Sequence, residues 1–170
     1  MNFQYGSLAS TLFLCITSGV SAQDAATNGT LFGNWRLSCQ ATAVNQTTCV
    51  IAQTLTVGEQ NAFLAEVTFQ YAEVDGENKT IMAVSTPTNM LLSARPGYRM
   101  TDTEETLPLT WRTCTPQICT ASRVLEDSEV DAIRTNQTFV IGYHPIANPE
   151  PLVFEISLQG ASEGLDALSN

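Results

Sequence analysis

The chain has 170 residues, enough for one domain with a real core and short for two. Its 14% charged and 44% hydrophobic residues give a globular composition and exclude an intrinsically disordered chain. Seventeen Asp and Glu against seven Lys and Arg leave a net charge of −10. That balance counts against nucleic acid or an anionic lipid surface as partner, because both call for a basic patch; an acidic surface serves solubility.

The N-terminus reads as an export signal. Leu8 to Val20 is mostly apolar and uncharged, and it ends in Val20-Ser21-Ala22, with small residues at the positions a signal peptidase recognises. Cleavage is expected before Gln23, so residues 1–22 are a signal peptide, although Met1 to Ser7 lacks the usual Lys or Arg. A buried N-terminal strand or helix is the alternative; the polar stretch that follows argues against it. Cys15 lies within the apolar run after Leu14, which is not small, so no lipid anchor is expected. No other stretch is long and apolar enough to span a bilayer. Residues 23–30 read as a polar linker and 31–170 as a single domain.

Within the domain, Trp35, Leu37 and Cys39 alternate with Arg36 and Ser38, and Cys49 to Val57 returns as a second strand. Phe63, Ala65, Val67, Phe69 and Tyr71 form the clearest period-two run, opposite Glu66, Thr68 and Gln70. Asp75-Gly76 signals a hairpin into Thr80–Ser85. Met90-Leu91-Leu92 is a short apolar piece before Pro96-Gly97, and Asp102 to Glu105 is an acidic turn. Leu107, Leu109, Trp111 and Thr113 alternate up to Cys114; Cys119, Ala121, Arg123 and Leu125 alternate after it. Glu126 to Ile133 suits a short helix capped by Ser128, with Asp131 as an imperfect capping-box partner and Val130 and Ile133 inward. Thr138–Tyr143 and Leu152–Leu158 are the last two strands, and Leu165 to Leu168 ends the chain as a helical turn or frayed tail. Eight or nine short strands with regular turns and very little helix describe an all-β sandwich.

Removing the signal leaves Cys39, Cys49, Cys114 and Cys119, an even number suited to disulfides in an exported chain. Four cysteines allow three pairings, and sequence alone does not choose among them. The expectation adopted is the two local pairs, Cys39–Cys49 and Cys114–Cys119, since each brackets a turn between strand-like runs. The spacings match no common zinc pattern and no Cys-x-x-Cys redox pair.

Other constellations carry less. His144 is the only histidine and stands at a strand end before Pro145, where an exposed turn residue is expected. No Gly-x-Ser-x-Gly, His-Glu-x-x-His or P-loop pattern is present. The acidic clusters Asp102/Glu104/Glu105 and Glu126/Asp127/Glu129/Asp131 lack EF-hand spacing and read as solvated turns. Trp35 and Trp111 suit a sugar platform, but a tryptophan packed on a nearby disulfide is the stronger expectation. No catalytic residue, cofactor site or metal site is expected.

Taken in order, Phe32-Gly-Asn-Trp35 with Cys39, Cys49 with Gln53, Pro87 to Leu92, Cys114 with Cys119 and Ala121, and Ser157-Leu-Gln-Gly160 with Leu165 and Ala167 resemble the invasion-associated locus B family of exported bacterial proteins. The resemblance runs from Phe32 to about Leu168. It departs at Asp102 to Glu105, where the family places Asp-Gly, at Ile118 before the fourth cysteine, where it places Gly, and at Gly160-Ala161, where it places Gly-Phe. It implies an immunoglobulin-like β-sandwich and an envelope location: periplasmic, outer-membrane-associated or secreted. It supplies no catalytic residue. The function expected is therefore that of a non-enzymatic exported envelope protein, an interaction or structural module with an unidentified envelope or host protein as partner. The alternatives are a periplasmic binding module for a small apolar or sugar ligand and, third, an unrecognised hydrolase.

Overall fold

The computed structural model describes residues 26–100 and 105–169. The signal peptide read over 1–22 lies outside the described residues, as do Asp102 and Glu104. Among the described residues eleven strands form two antiparallel sheets. In chain order they are β1 (Leu31–Phe32), β2 (Trp35–Ala43), β3 (Gln46–Val57), β4 (Ala62–Val74), β5 (Glu77–Pro87), β6 (Gly97–Arg99), β7 (Leu107–Pro108), β8 (Thr110–Cys114), β9 (Ile118–Val124), β10 (Thr138–Tyr143) and β11 (Leu152–Ser157). The larger sheet runs β1-β2-β3-β4-β5-β9-β8 and the smaller β11-β10-β6-β7. Two short helices, α1 (Asp127–Thr135) and α2 (Ala161–Leu168), complete the described elements.

The sandwich core follows from the alternation. Trp35, Leu37, Ile51, Val67, Phe69 and Val84 are buried on the inner face of the larger sheet. Tyr98, Phe139, Ile141 and Ile156 answer them from the smaller one. A chain of rings crosses between the layers: Trp35 to Phe69 at 5.0 Å, Phe69 to Phe139 at 6.4 Å and Phe139 to Tyr98 at 6.3 Å, the last edge-on. Tilted and edge-on contacts of this kind add to the area buried, by about 0.5–1.5 kcal/mol per pair.

The hairpin signals behave as the sequence requires. Asp75 and Gly76 both have positive φ, 53° and 83°, the backbone of a two-residue turn whose twist matches its strands. Both disulfides form between residues directly opposite in register, Cys39 with Cys49 and Cys114 with Cys119, each with Cα atoms 4.0 Å apart. The two local pairings expected from the sequence are thus the observed ones.

Three features differ from the sequence reading. The period-two run in β4 stops at Ala65: Leu55 opposes Ala65 but Thr56 opposes Phe63, so Leu64 is an extra residue and Phe63 turns outward, 37% exposed. The cap of α1 is Glu126, not Ser128; its N–H donates to Glu129 Oε2 at 2.7 Å, placing the capping-box pair two residues earlier. The C-terminal turn is a full two-turn helix, α2, because Gly160 supplies a left-handed residue (φ 87°) at its start and Ala161 and Leu165 bury against the larger sheet.

The end of the segment read as a linker is docked. Gly29 N–H donates to the Leu37 carbonyl and Leu37 N–H to the Thr30 carbonyl, both at 2.8 Å. Cys39 N–H donates to Asn28 Oδ1 (3.0 Å) and Asn28 Nδ2–H to the Cys39 carbonyl (3.3 Å). The Asn28 side-chain amide thus stands in for a peptide group and satisfies part of the outer edge of β2.

Candidate functional site

The outer face of the smaller sheet is where the fold leaves a concavity. Val153, Gly142 and Gly97 lie side by side across β11, β10 and β6. Two adjacent glycines leave the middle of that row without side chains, and a groove of about 350 Å³ opens above it. Val140 and Arg99 continue its floor in the next row, and Arg95, Thr106, His144 and Pro151 line its sides. At Gly97 a Cβ would stand 2.5 Å from Thr106 Cγ2 and 3.3 Å from the Leu107 carbonyl oxygen, so a side chain there would force Thr106 to move. Gly142 is not forced in the same way, since a Cβ would meet Val153 Cγ2 at 3.5 Å and the Leu152 carbonyl oxygen at 3.6 Å, ordinary contacts.

His144 belongs to this groove. Its Nε2 lies 2.9 Å from the Asn148 carbonyl oxygen, which can only accept, so Nε2 carries the proton. The histidine expected as an exposed turn residue is instead half-buried and held.

Beside the groove the loops after β5 and β10 are zipped together. Leu91 N–H donates to the His144 carbonyl at 2.8 Å and Ile146 N–H to the Asn89 carbonyl at 2.9 Å, with a bridge between Met90 and Pro145. Met90 points in, 7% exposed, and packs with Ala65 and Tyr143. Leu91, Leu92 and Ile146 point out, 39%, 53% and 66% exposed. Tyr143 O–H donates to the Leu64 carbonyl at 2.8 Å, so the extra residue in β4 is used to tie this tip to the larger sheet.

Away from the tip, α1 holds the layers together through charge. Tyr98 O–H donates to Glu129 Oε1, and Arg123 Nε–H donates to the same oxygen at 3.1 Å. One residue comes from each sheet, and the carboxylate comes from α1. Burial pushes the Tyr98 phenol well above the usual tyrosine range, and the Glu129 hydrogen bond adds to it. Arg134 Nη1–H donates to Asp166 Oδ1 at 2.7 Å, joining α1 to α2.

The other candidates read from the sequence fall into place as structure. Trp35 is fully buried and donates from Nε1 to the Ser157 carbonyl at 3.1 Å; Cys39 and Cys49 pack against the same core. Trp111 is half-buried and its Nε1 donates to the Ala94 carbonyl at 3.2 Å, so it roofs the tip loop. Glu126 and Glu129 are consumed in the first turn of α1. No group of three metal-ligating side chains comes together among the described residues. Sequence reasoning missed the groove, because Arg95, Gly97, Gly142 and Val153 come from separate segments and meet only through the pairing of β6 with β10 and of β10 with β11.

Compared with protein families, residues 35–169 match the one described as Invasion associated locus B (IalB) protein. Among solved structures, the chain is similar to the crystal structure of invasion associated protein B from Bartonella henselae, with a TM-score of 0.67 and 20% sequence identity over 82% of this chain and 94% of that one. At that identity the likeness shows the fold. No curated protein sequence matches.

Proposed function

The chain belongs to the invasion associated locus B family, and from that premise we propose that it is an exported, non-enzymatic envelope protein that works by holding a partner protein. The observation that carries this reading is the apolar tip. Leu91, Leu92 and Ile146 are exposed on two loops joined by two backbone hydrogen bonds. Apolar side chains on a rigid, pre-ordered support cost little entropy to engage, which suits a contact surface. Two disulfides suit an oxidising compartment. No helix among the described residues is long and apolar enough to cross a membrane. The location that fits is the periplasm, the outer membrane surface or the medium.

The test compares the mature protein with a triple variant, Leu91→Ser, Leu92→Ser and Ile146→Ser, as baits in envelope extracts. These side chains are exposed, so the melting temperature should hold within a few degrees. The reading expects a partner captured by the wild type and lost by the variant. Equal capture by both overturns it.

A further inference from the structure

We propose that the free edge of β11 takes up an extended segment of a partner polypeptide as a further strand of the smaller sheet, with a Lys or Arg of that segment opposite Glu155. This goes beyond the apolar tip, and it rests on different residues.

The backbone comes first. Leu158 N–H donates to the Gln137 carbonyl at 2.7 Å, and the same register sets Ile156 opposite Phe139, Phe154 opposite Ile141 and Leu152 opposite Tyr143. In an antiparallel pair such bonds recur at every second residue, so the N–H and C=O groups of Val153, Glu155 and Ser157 point away from β10. Ser157 agrees, since its carbonyl accepts Trp35 Nε1–H at 3.1 Å from that side. Among the described residues no strand pairs with β11 there, and no donor or acceptor meets the backbone of Val153 or Glu155. Trp35 closes one end of this opening, and Pro151, which has no N–H, stands at the other. The edge of β2, by contrast, is covered by β1 and by Asn28. An uncovered edge is a template for another chain.

The wall beside the edge is also unfinished. Gln53 pairs with Val67 and Leu55 with Ala65, both of them fully buried, so Gln53 and Leu55 face the sandwich interior. Yet both are only partly buried. Trp35 on β2 reaches β11 from the open side, and Leu152 packs toward Ala65 on β4. β3 lies between β2 and β4 and so runs beneath the open edge. Gln53 Oε1 is shielded from solvent without a hydrogen-bond partner. A strand laid beside β11 would cover Leu55 and bring a donor within reach of Gln53.

These features name the occupant. Only an extended polypeptide repeats N–H and C=O groups at the spacing of a strand edge; a sugar or a hydrocarbon chain does not. Its inward side chains meet Leu55, so they are apolar. Its outward ones stand beside Val153 and Glu155, both exposed. Opposite charges attract across a strand pair and like charges repel, so the residue facing Glu155 is basic. The net charge of −10 works the same way, and it counts against a second copy of this chain as the occupant.

The probe is the capped peptide Ser-Lys-Val-Thr-Leu, which sets Lys opposite Glu155 and Thr opposite Val153 when it runs antiparallel to β11. It is titrated into the isotopically labelled mature protein and followed by amide shifts and hydrogen exchange. In the free protein the Val153 and Glu155 amides should exchange fast and those of Phe154 and Ile156 slowly. The peptide should shift and protect the first two. A methyl group on the Lys backbone nitrogen, which faces β11, should abolish binding, and one on the central Val nitrogen should not. Replacing the peptide's Lys by Glu should weaken binding by about fivefold or more, and Glu155→Lys in the protein should reverse that preference. The variant with Leu91, Leu92 and Ile146 changed to Ser should bind the peptide as the wild type does, so failure here leaves the reading of the tip standing. Slow exchange at Val153 and Glu155 in the free protein, indifference to which nitrogen is methylated, equal binding of the Lys and Glu peptides, or self-association of the protein through β11 would each overturn the proposal.

Discussion

Gly33 and Gly160 stand back to back, from opposite ends of the domain. A Cβ on Gly160 would lie 2.0 Å from the Phe32 carbonyl oxygen and 2.7 Å from the Gly33 nitrogen. A Cβ on Gly33 would lie 2.3 Å from the Gln159 carbonyl oxygen. Both glycines have positive φ, and Asn34 N–H donates to that same Gln159 oxygen at 3.1 Å. The stretch before Trp35 and the stretch before α2 are therefore one structural unit.

Gly160→Ala and Gly33→Ala should each destabilise the protein. The left-handed backbone alone costs a side chain about 1–2 kcal/mol, and here the methyl group also meets backbone that cannot swing aside. A loss of at least about 2 kcal/mol should lower the melting temperature by about 4 °C or more for a domain of this size. Thermal unfolding of the two variants checks it. Because they break the same contact, the double variant should cost less than the sum.

Non-reduced digestion and mass spectrometry should find the links Cys39–Cys49 and Cys114–Cys119 and no free thiol among those four. Replacing Cys114 and Cys119 together by Ala should cost about 2 kcal/mol, and replacing Cys39 and Cys49 about 3 kcal/mol, from the closed-loop lengths. Cys119 is buried and Cys39 and Cys49 pack against the core, so both losses should exceed the loop estimates. A link joining one pair to the other would refute the register of both hairpins.

Alkaline pH should weaken the fold through Tyr98. Its phenol is raised in the folded protein by burial first and then by Glu129, while the unfolded chain titrates near the ordinary value of about 10. Below that value the contribution is whole. As pH rises past it, the unfolded chain releases a proton that the folded one keeps, and stability falls by up to about 1.4 kcal/mol per pH unit. Tyr143 is raised by burial and works in the same direction. Urea midpoints between pH 9 and 11 should decline, and Tyr98→Phe should flatten the decline. An unchanged slope in that variant would assign the loss to other groups.

Export predicts a mature N-terminus at Gln23, after Val20-Ser21-Ala22. N-terminal sequencing of the protein recovered outside the cytoplasm checks it, and an intact Met1 in correctly located protein would overturn it.

What could be read in advance was what one strand and its turn decide between them. Trp35 to Leu37, Ala65 to Phe69 and Cys119 to Ala121 bury alternate residues as their polarity requires. Asp75-Gly76 and the two cysteine-bracketed turns set the register of three hairpins. Phe63 could not be placed, because the extra residue at Leu64 is stabilised by Tyr143, far away in sequence. The groove was hidden for a related reason. A glycine announces a turn or a close approach, but nothing in the strings around Gly97 and Gly142 says that the two will be neighbours. That is settled by a strand pairing that joins the middle of the chain to its last third.

The order of strands has a consequence for the growing chain. β1 to β5 lie in the larger sheet in the order in which they occur in sequence, each beside its predecessor. Such local pairings close short loops and form early. Their inner face, with Trp35, Phe69 and Met82, is covered by strands that include β10 and β11, which begin only at Thr138. A chain halted before Thr138 would present a formed meander with a bare apolar wall, the kind of species that aggregates. For this protein the hazardous interval in biogenesis is the wait for the segment that begins at Thr138, and a holdase acting then would protect it most.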